Sequence, residues 1–352
     1  MSSAWIAFAV ALIASLGLTV PIRHLALRIG MVDHPGPRKV HLKPIPLLGG
    51  LAIYAGFVLA IVVTMGGNAR AETLAILAGA TLLAFTGILD DSGKLHHQIK
   101  LFASMPIAAC ILVASGIHAQ VFSALIAGKL GTALDIALTI FWVVGITAAF
   151  SILDHMDGIC AGVAAVAAAF FTIAAGMNGQ LLVRTLAAAS LGAALGFLRW
   201  NFAPARIFMG DGGAMLLGFL MATLGLKLRP VSPHFPADWL LPILILGVPI
   251  FDTFLIIVSR SRRGLLPFAS PGKDHTAHRL ANLGLGQKGA VLFIYALGSL
   301  LGGLGFLVTY LPSAEVYAIG GTVLILGALA VFALERSPYE HQQKPHGSPS
   351  VP

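Results

Sequence analysis

Charged side chains are scarce in this chain, and those present cluster at a few points where they could do chemistry. Asp90 and Asp91 are adjacent, with Lys94 and Lys100 following. Such a pair supplies oxygen ligands for a hard cation and ammonium groups for phosphate oxygens. It reads equally as a solvated helix end carrying i,i+3 ion pairs. Asp154 and Asp157 are three apart, so one helical turn can face both into one pocket, with His155 as a spacer. A charged interhelical loop is the competing reading. Asp211, between Gly210 and Gly212-Gly213, is either a helix N-cap or a metal-ligating carboxylate where glycine admits a phosphate. His275 and His278 can hold a metal or donate to phosphate, and Arg279 adds a planar two-pronged donor. Lys43 ends a Pro/Gly-shaped basic loop with Arg38, Lys39 and His41, which alone is a topogenic segment.

The elements that position these groups must be membrane helices. The chain has 352 residues, 57% hydrophobic and only 10% charged, against about 25% charged in a soluble domain. Water-soluble folds are excluded. Cys110 and Cys160 lie in apolar surroundings and support neither a disulfide framework nor a thiolate metal site. Charge-free stretches of spanning length fall at 4–22, 44–66, 73–89, 100–117, 135–153, 158–177, 181–198, 212–227, 239–259, 289–310 and 314–334. The seventh and eighth are the weakest, being enclosed by Arg184 to Arg199 and Asp211 to Lys227. The sequence therefore predicts an all-α polytopic membrane protein with about eleven transmembrane helices.

Eleven spans put the termini on opposite sides. One set of loops holds only Arg70, Lys129, Arg184, Lys227 and Arg229, which leaves 17 of the 22 Lys and Arg on the other. By the positive-inside rule the N-terminus is outside and the C-terminus cytoplasmic. Residues 1–334 then form a single integral membrane domain, and 335–352 a disordered cytoplasmic tail. The same topology puts Asp33, Asp90, Asp91, Asp154, Asp157, Asp211 and Asp274 on the cytoplasmic side, with Asp252 about two turns inside its helix. Orientation signals largely ignore carboxylates, so this gathering needs another cause.

Taken in order, these segments resemble the polyprenyl-phosphate N-acetylhexosamine-1-phosphate transferases, on the WecA/TagO-like side and related to MraY. The matching segments are Arg38-Lys39-Val40-His41 with Pro44-Ile45-Pro46 and Gly49-Gly50, then Asp90-Asp91, then Asp154-x-x-Asp157-Gly158. Phe208-Met209-Gly210-Asp211, Pro249-x-x-Asp252 and His275-x-x-His278-Arg279-Leu280 complete the set. The resemblance implies transfer of N-acetylhexosamine-1-phosphate, with GlcNAc as the expected sugar, from a UDP-sugar to undecaprenyl phosphate. UMP is released, and a lipid-linked cell-envelope glycan is initiated at the bacterial inner membrane. It implies Mg²⁺, with Mn²⁺ as an alternative, and no nucleic-acid partner; a homodimer is left open. Carried over residue by residue, Asp90, Asp91, Asp154 and Asp157 are catalytic, and Asp211 with Ser151 holds the metal. Lys43, Lys94, Lys100, His275, His278 and Arg279 bind substrate.

The chain departs from that family at Ala148 and Ser151, where two asparagines are usual, at His155, usually Gly, and at Ala277, usually His. A catalytically altered homologue acting as an assembly partner is therefore one rival reading. A secondary transporter is the other, but it calls for internal repeats and mid-membrane charges, and only Asp252 lies notably inside.

Overall fold

The computed structural model describes residues 2–34, 44–65, 70–93, 95, 97–229, 235–266 and 272–337. Lys43 and Lys94 lie outside the described residues, as do Arg38, Lys39, His41 and the tail from 338. In chain order the helices are α1 (Ser2–Ile29), α2 (Gly49–Met65), α3 (Ala71–Asp91) and α4 (His97–Ile99), with α4 passing through a π-helical turn, Lys100–Ser104, into α5 (Met105–Ala114). Then come α6 (Lys129–Leu153), α7 (Ile159–Met177), α8 (Leu181–Asn201), α9 (Gly210–Lys227), α10 (Phe235–Ile245) and α11 (Gly247–Arg262). A short α12 (Thr276–Leu280) continues through a second π turn, Ala281–Leu285, into α13 (Gly286–Val308), and α14 (Ser313–Glu335) follows. The strands β1 (Val32–Asp33) and β2 (Ile45–Pro46) make one antiparallel pair.

Long apolar runs form helices here because each helix satisfies its own backbone, as a bilayer requires. Among the described residues seven helices are long and apolar enough to cross a membrane: α1, α3, α6, α7, α8, the run Thr276–Val308 and α14. An eighth span is broken: Trp239–Ile245 and Gly247–Arg262 qualify together but bend by 73°. The protein is a polytopic membrane protein. The stretches expected at 44–66 and 100–117 appear as shorter apolar helices, Gly49–Met65 and Lys100–Ala114.

The span expected at 212–227 shows why its sequence looks weak. Helix α9 is buried at every position except Asp211 and Lys227, packed against α2, α3, α6, α7 and α8. A helix that touches protein all round needs no lipophilic face, so it tolerates glycines and terminal charges. Close approach requires glycine on both sides: a Cβ at Gly87 of α3 would overlap the backbone of Gly212, one at Gly50 of α2 that of Gly213, and one at Gly212 would meet Ala84 O at 2.8 Å. Contact at this range brings the end of α3, with Asp90 and Asp91, onto the start of α9.

The end of the expected loop after α11 is helical. His278 and Arg279 lie in α12, whose first backbone N–H, that of Thr276, is accepted by Asp252 Oδ1 at 2.8 Å.

Candidate active site

Two clusters form at one end of the bundle. The first is built from the end of α3, the π turn before α5, the end of α6 and the start of α9. Asp91 caps α9: its Oδ1 accepts the N–H of Asp211 at 3.0 Å and its Oδ2 that of Gly212 at 3.5 Å. Asp91 thus meets two of the amides that a helix start leaves unpaired. Lys100 Nζ donates to Asp90 Oδ2 at 2.8 Å and to Asp211 Oδ2 at 2.5 Å. Ser151 Oγ donates to Asp211 Oδ1 at 2.7 Å. Residues separated by up to 121 positions in sequence are thereby joined around one carboxylate.

Asp154, on the turn after α6, adds a further carboxyl. Burial, together with the nearby charges of Asp211, Asp91 and Asp157, pushes its pKa up to about 8. Asp157 has a different position: its Oδ2 accepts the N–H of Ala205 at 2.8 Å, fastening this turn to the segment between α8 and α9. Gly158, at φ 79°, supplies the left-handed conformation that lets the chain enter α7. The same turn is held by Asn201 Oδ1, which accepts Gly158 N–H at 3.1 Å, and by Tyr295, whose hydroxyl donates to Gly158 O at 2.5 Å.

The second cluster contains the histidines. His275 Nδ1 and Asp252 Oδ2 are 2.9 Å apart. The His155 ring stacks on His275 with centroids 3.9 Å apart and planes at 26°, and lies 4.8 Å from His278. Burial and the neighbouring His275 hold the pKa of His155 well below the ordinary imidazole value, so it is neutral. Asp274 forms a two-pronged pair with Arg260, Nε–Oδ2 at 3.1 Å and Nη2–Oδ1 at 2.9 Å, and a further pair with Arg263. Burial opposes ionisation of Asp274, yet the two guanidinium groups hold its pKa down at about 2.

Arg279 belongs to the frame of this segment. Its side chain is 0% exposed. Its Nε donates to Asp274 O at 2.7 Å, Nη1 to Leu334 O at 2.6 Å and Nη2 to Ser259 Oγ at 2.8 Å, and Nη2 also pairs with Glu335 at 2.7 Å. Arg279, expected to bind substrate, has a fork that ties this segment to α11 and α14.

Of the expected site residues described, Asp90, Asp91, Lys100, Ser151 and Asp211 come together directly, Asp154 adjoins them, and His275 and His278 form the neighbouring cluster. Sequence reasoning gave no site role to Asp252 and took His155 for a spacer. Asp252 carried one usable signal, a carboxylate inside an apolar helix; the stacking of His155 carried none.

The chemistry of the donors separates the two clusters. Asp90, Asp154, Asp211 and Ser151 offer only oxygen, the donor set for a hard divalent cation, and the Lys100 ammonium stands between Asp90 and Asp211 as a cation in that place. His155, Asp252 and His275 also bring ligand atoms within 4.8 Å of one another. There Asp252 is already paired with His275 Nδ1 at 2.9 Å, and the His155 ring stacks on that of His275.

Comparison with known proteins agrees with this arrangement. The profile of glycosyl transferase family 4 matches residues 73–229. A probable undecaprenyl-phosphate N-acetylglucosaminyl 1-phosphate transferase of Bacillus subtilis is 37% identical, over 83% of this chain and 81% of its own length. A decaprenyl-phosphate N-acetylglucosaminephosphotransferase of Mycolicibacterium smegmatis is 32% identical over 92% of this chain and 87% of its own. The undecaprenyl-phosphate alpha-N-acetylglucosaminyl 1-phosphate transferase of Escherichia coli K12 is 31% identical over 82% and 79%. With similarity of this extent to full-length relatives, and acids that meet around the start of α9, the chain belongs to glycosyl transferase family 4, within the MraY/WecA superfamily.

Proposed function

We propose that this protein transfers GlcNAc-1-phosphate from UDP-GlcNAc to undecaprenyl phosphate and releases UMP, initiating a cell-envelope glycan at the bacterial inner membrane. The observation that carries the reading is the meeting of Lys100, Asp90, Ser151 and Asp211 at one end of the bundle, next to the histidine cluster.

The reaction forms a bond between a lipid-phosphate oxygen and the phosphorus bearing the sugar, and breaks the bond from that phosphorus to the UMP oxygen. Both partners are anions, so electrostatic repulsion is the main barrier. Lys100 sets a positive charge where the phosphates must meet. Asp91 fixes the start of α9, so that Asp211 and the helix N-terminus keep their aim. A phosphate monoester's second pKa is about 6, which leaves the acceptor mostly dianionic, so positioning matters more than proton removal. His275, oriented by Asp252, and His278 face the donor, while Asp157 and Arg279 hold the turns that carry the site.

The oxygen donor set fits Mg²⁺, with Asp211 and Ser151 as its holders. When bound, Mg²⁺ neutralises diphosphate charge and stabilises the leaving UMP. Residues 1–334 act as one membrane domain. Counting α2, the Lys100–Ala114 helix, α9 and the bent pair α10–α11 as crossings gives eleven, with the N-terminus outside and the site cytoplasmic.

Inside-out membrane vesicles supplied with UDP-GlcNAc and undecaprenyl phosphate should release UMP, and sealed right-side-out vesicles should not. Absence of UMP release in both preparations would sink the activity. Release only by right-side-out vesicles would reverse the orientation.

A further inference from the structure

His155 is the one member of the histidine cluster that the reaction described above leaves without work. Both of its ring nitrogens are buried and have no hydrogen-bond partner among the described residues. Its ring stacks on that of His275, lies 4.8 Å from that of His278, and has its Nε2 4.0 Å from Asp252 Oδ2, beyond hydrogen-bond reach. Buried polar atoms in native proteins are almost always satisfied, by protein, water or ligand. A neutral imidazole offers one N–H donor and one lone-pair acceptor. A diphosphate has acceptors only, so it would pair with one nitrogen and repel the other. Hydroxyl and acetamido groups present donor and acceptor together.

We infer that His155 reads the neutral hydrogen-bonding groups of the donor's N-acetylhexosamine and is a specificity-determining residue of this enzyme. The inference rests on the transferase reading above. Position decides between the sugar and the equally neutral uracil. His155 lies four residues after Ser151, whose hydroxyl reaches Asp211 Oδ1 at 2.7 Å, so it is close in the chain to the cluster where the phosphates are proposed to meet. The sugar is bonded to the reacting phosphate, whereas the base lies beyond a second phosphate and a ribose.

The test uses the purified full-length enzyme with Mg²⁺, and compares the KM for UDP-GlcNAc with the inhibition constant of UMP, which lacks the sugar. His155→Phe keeps a stacking ring and removes both hydrogen-bonding atoms. It should raise the KM about tenfold, flatten the preference for UDP-GlcNAc over UDP-glucose, and leave UMP inhibition unchanged. His155→Asn keeps a donor and an acceptor on a shorter arm. It should bring the KM back toward wild type while altering the UDP-GlcNAc to UDP-GalNAc ratio, and it gives a separate reading should the Phe variant fail to insert. A KM and a UMP constant that rise together would make His155 a scaffold for its neighbours and overturn the assignment. So would wild-type donor preference in both variants. A wild-type enzyme that consumes no UDP-sugar at all defeats the transferase reading instead.

Discussion

Lys100 and Asp211 meet at 2.5 Å across 111 residues of chain, and the same ammonium reaches Asp90 at 2.8 Å. The pair lies at the junction of a π-helical turn with the start of the central helix. Local π turns of this kind recur at functional sites. Replacing Lys100 by Gln removes the charge at similar length. The expected result is a loss of kcat/KM of about a hundredfold with normal protein level in the membrane, read by UMP release. Near-wild-type turnover would place the phosphates elsewhere.

Asp211→Asn keeps the side-chain shape and the cap from Asp91, since that cap is made to the backbone. Turnover should fall at least about a hundredfold, with little change in melting temperature. Full activity of the Asn variant at low Mg²⁺ would remove Asp211 from the metal site.

Ser151 donates to Asp211 at 2.7 Å, so it stands where a second oxygen ligand would help. An amide carbonyl binds a hard cation better than a hydroxyl does. Ser151→Asn should lower the Mg²⁺ concentration for half-maximal UMP release, and Ser151→Ala should raise it. Unchanged Mg²⁺ dependence in both variants would remove position 151 from the metal site.

Asp154, with its pKa pushed up to about 8 by burial and by Asp211, holds a proton at neutral pH when no cation is present. Cation binding favours the ionised form, so Mg²⁺ should displace that proton. Calorimetry in buffers of different ionisation enthalpy should show proton release at pH 7 that fades well above pH 8, where Asp154 is already ionised. Apparent Mg²⁺ affinity should rise with pH up to that point and then level. Release that persists unchanged in Asp154→Asn would assign the proton to another group.

Asp274 provides a stability test remote from turnover. Its folded pKa is depressed to about 2 from 3.8, so its stabilisation is complete above pH 4 and is lost as pH falls through about 2. A depression of this size corresponds to roughly 2 kcal/mol. Asp274→Asn should melt earlier than wild type at pH 7, and the gap should narrow as pH falls from 4 toward 2. A gap that is constant with pH would mean that Arg260 and Arg263 do not depend on the ionised carboxylate.

The acids of the first cluster were readable because each interrupts an apolar run at its end, where neither lipid contact nor orientation rules call for a carboxylate. Lys100, Asp91 and Ser151 could be placed near Asp211 by resemblance, but the joining of their atoms could not. It depends on Gly87 and Gly212 letting two helices touch, a tertiary event with no local period. The same limit hid the second cluster. Asp252 and His275 are 23 residues apart on either side of a loop, and although Pro242, Gly247 and Pro249 flank the 73° bend between α10 and α11, they do not tell which side chains the bend brings together. Arg279 looked like an anion receptor because its partners, Leu334 and Glu335, lie more than 50 positions away at the end of another helix.

Helix α14 has only 11% of its spanning window buried, yet its last turn receives the fork of Arg279 from the histidine segment. The consequence concerns biosynthesis. During translation the histidine segment is made before α14, so the contacts of Arg279 with Leu334 and Glu335 are the last of its contacts to form. A chain that stops before Leu334 therefore leaves Arg279 without two of its four partners, Leu334 O and Glu335.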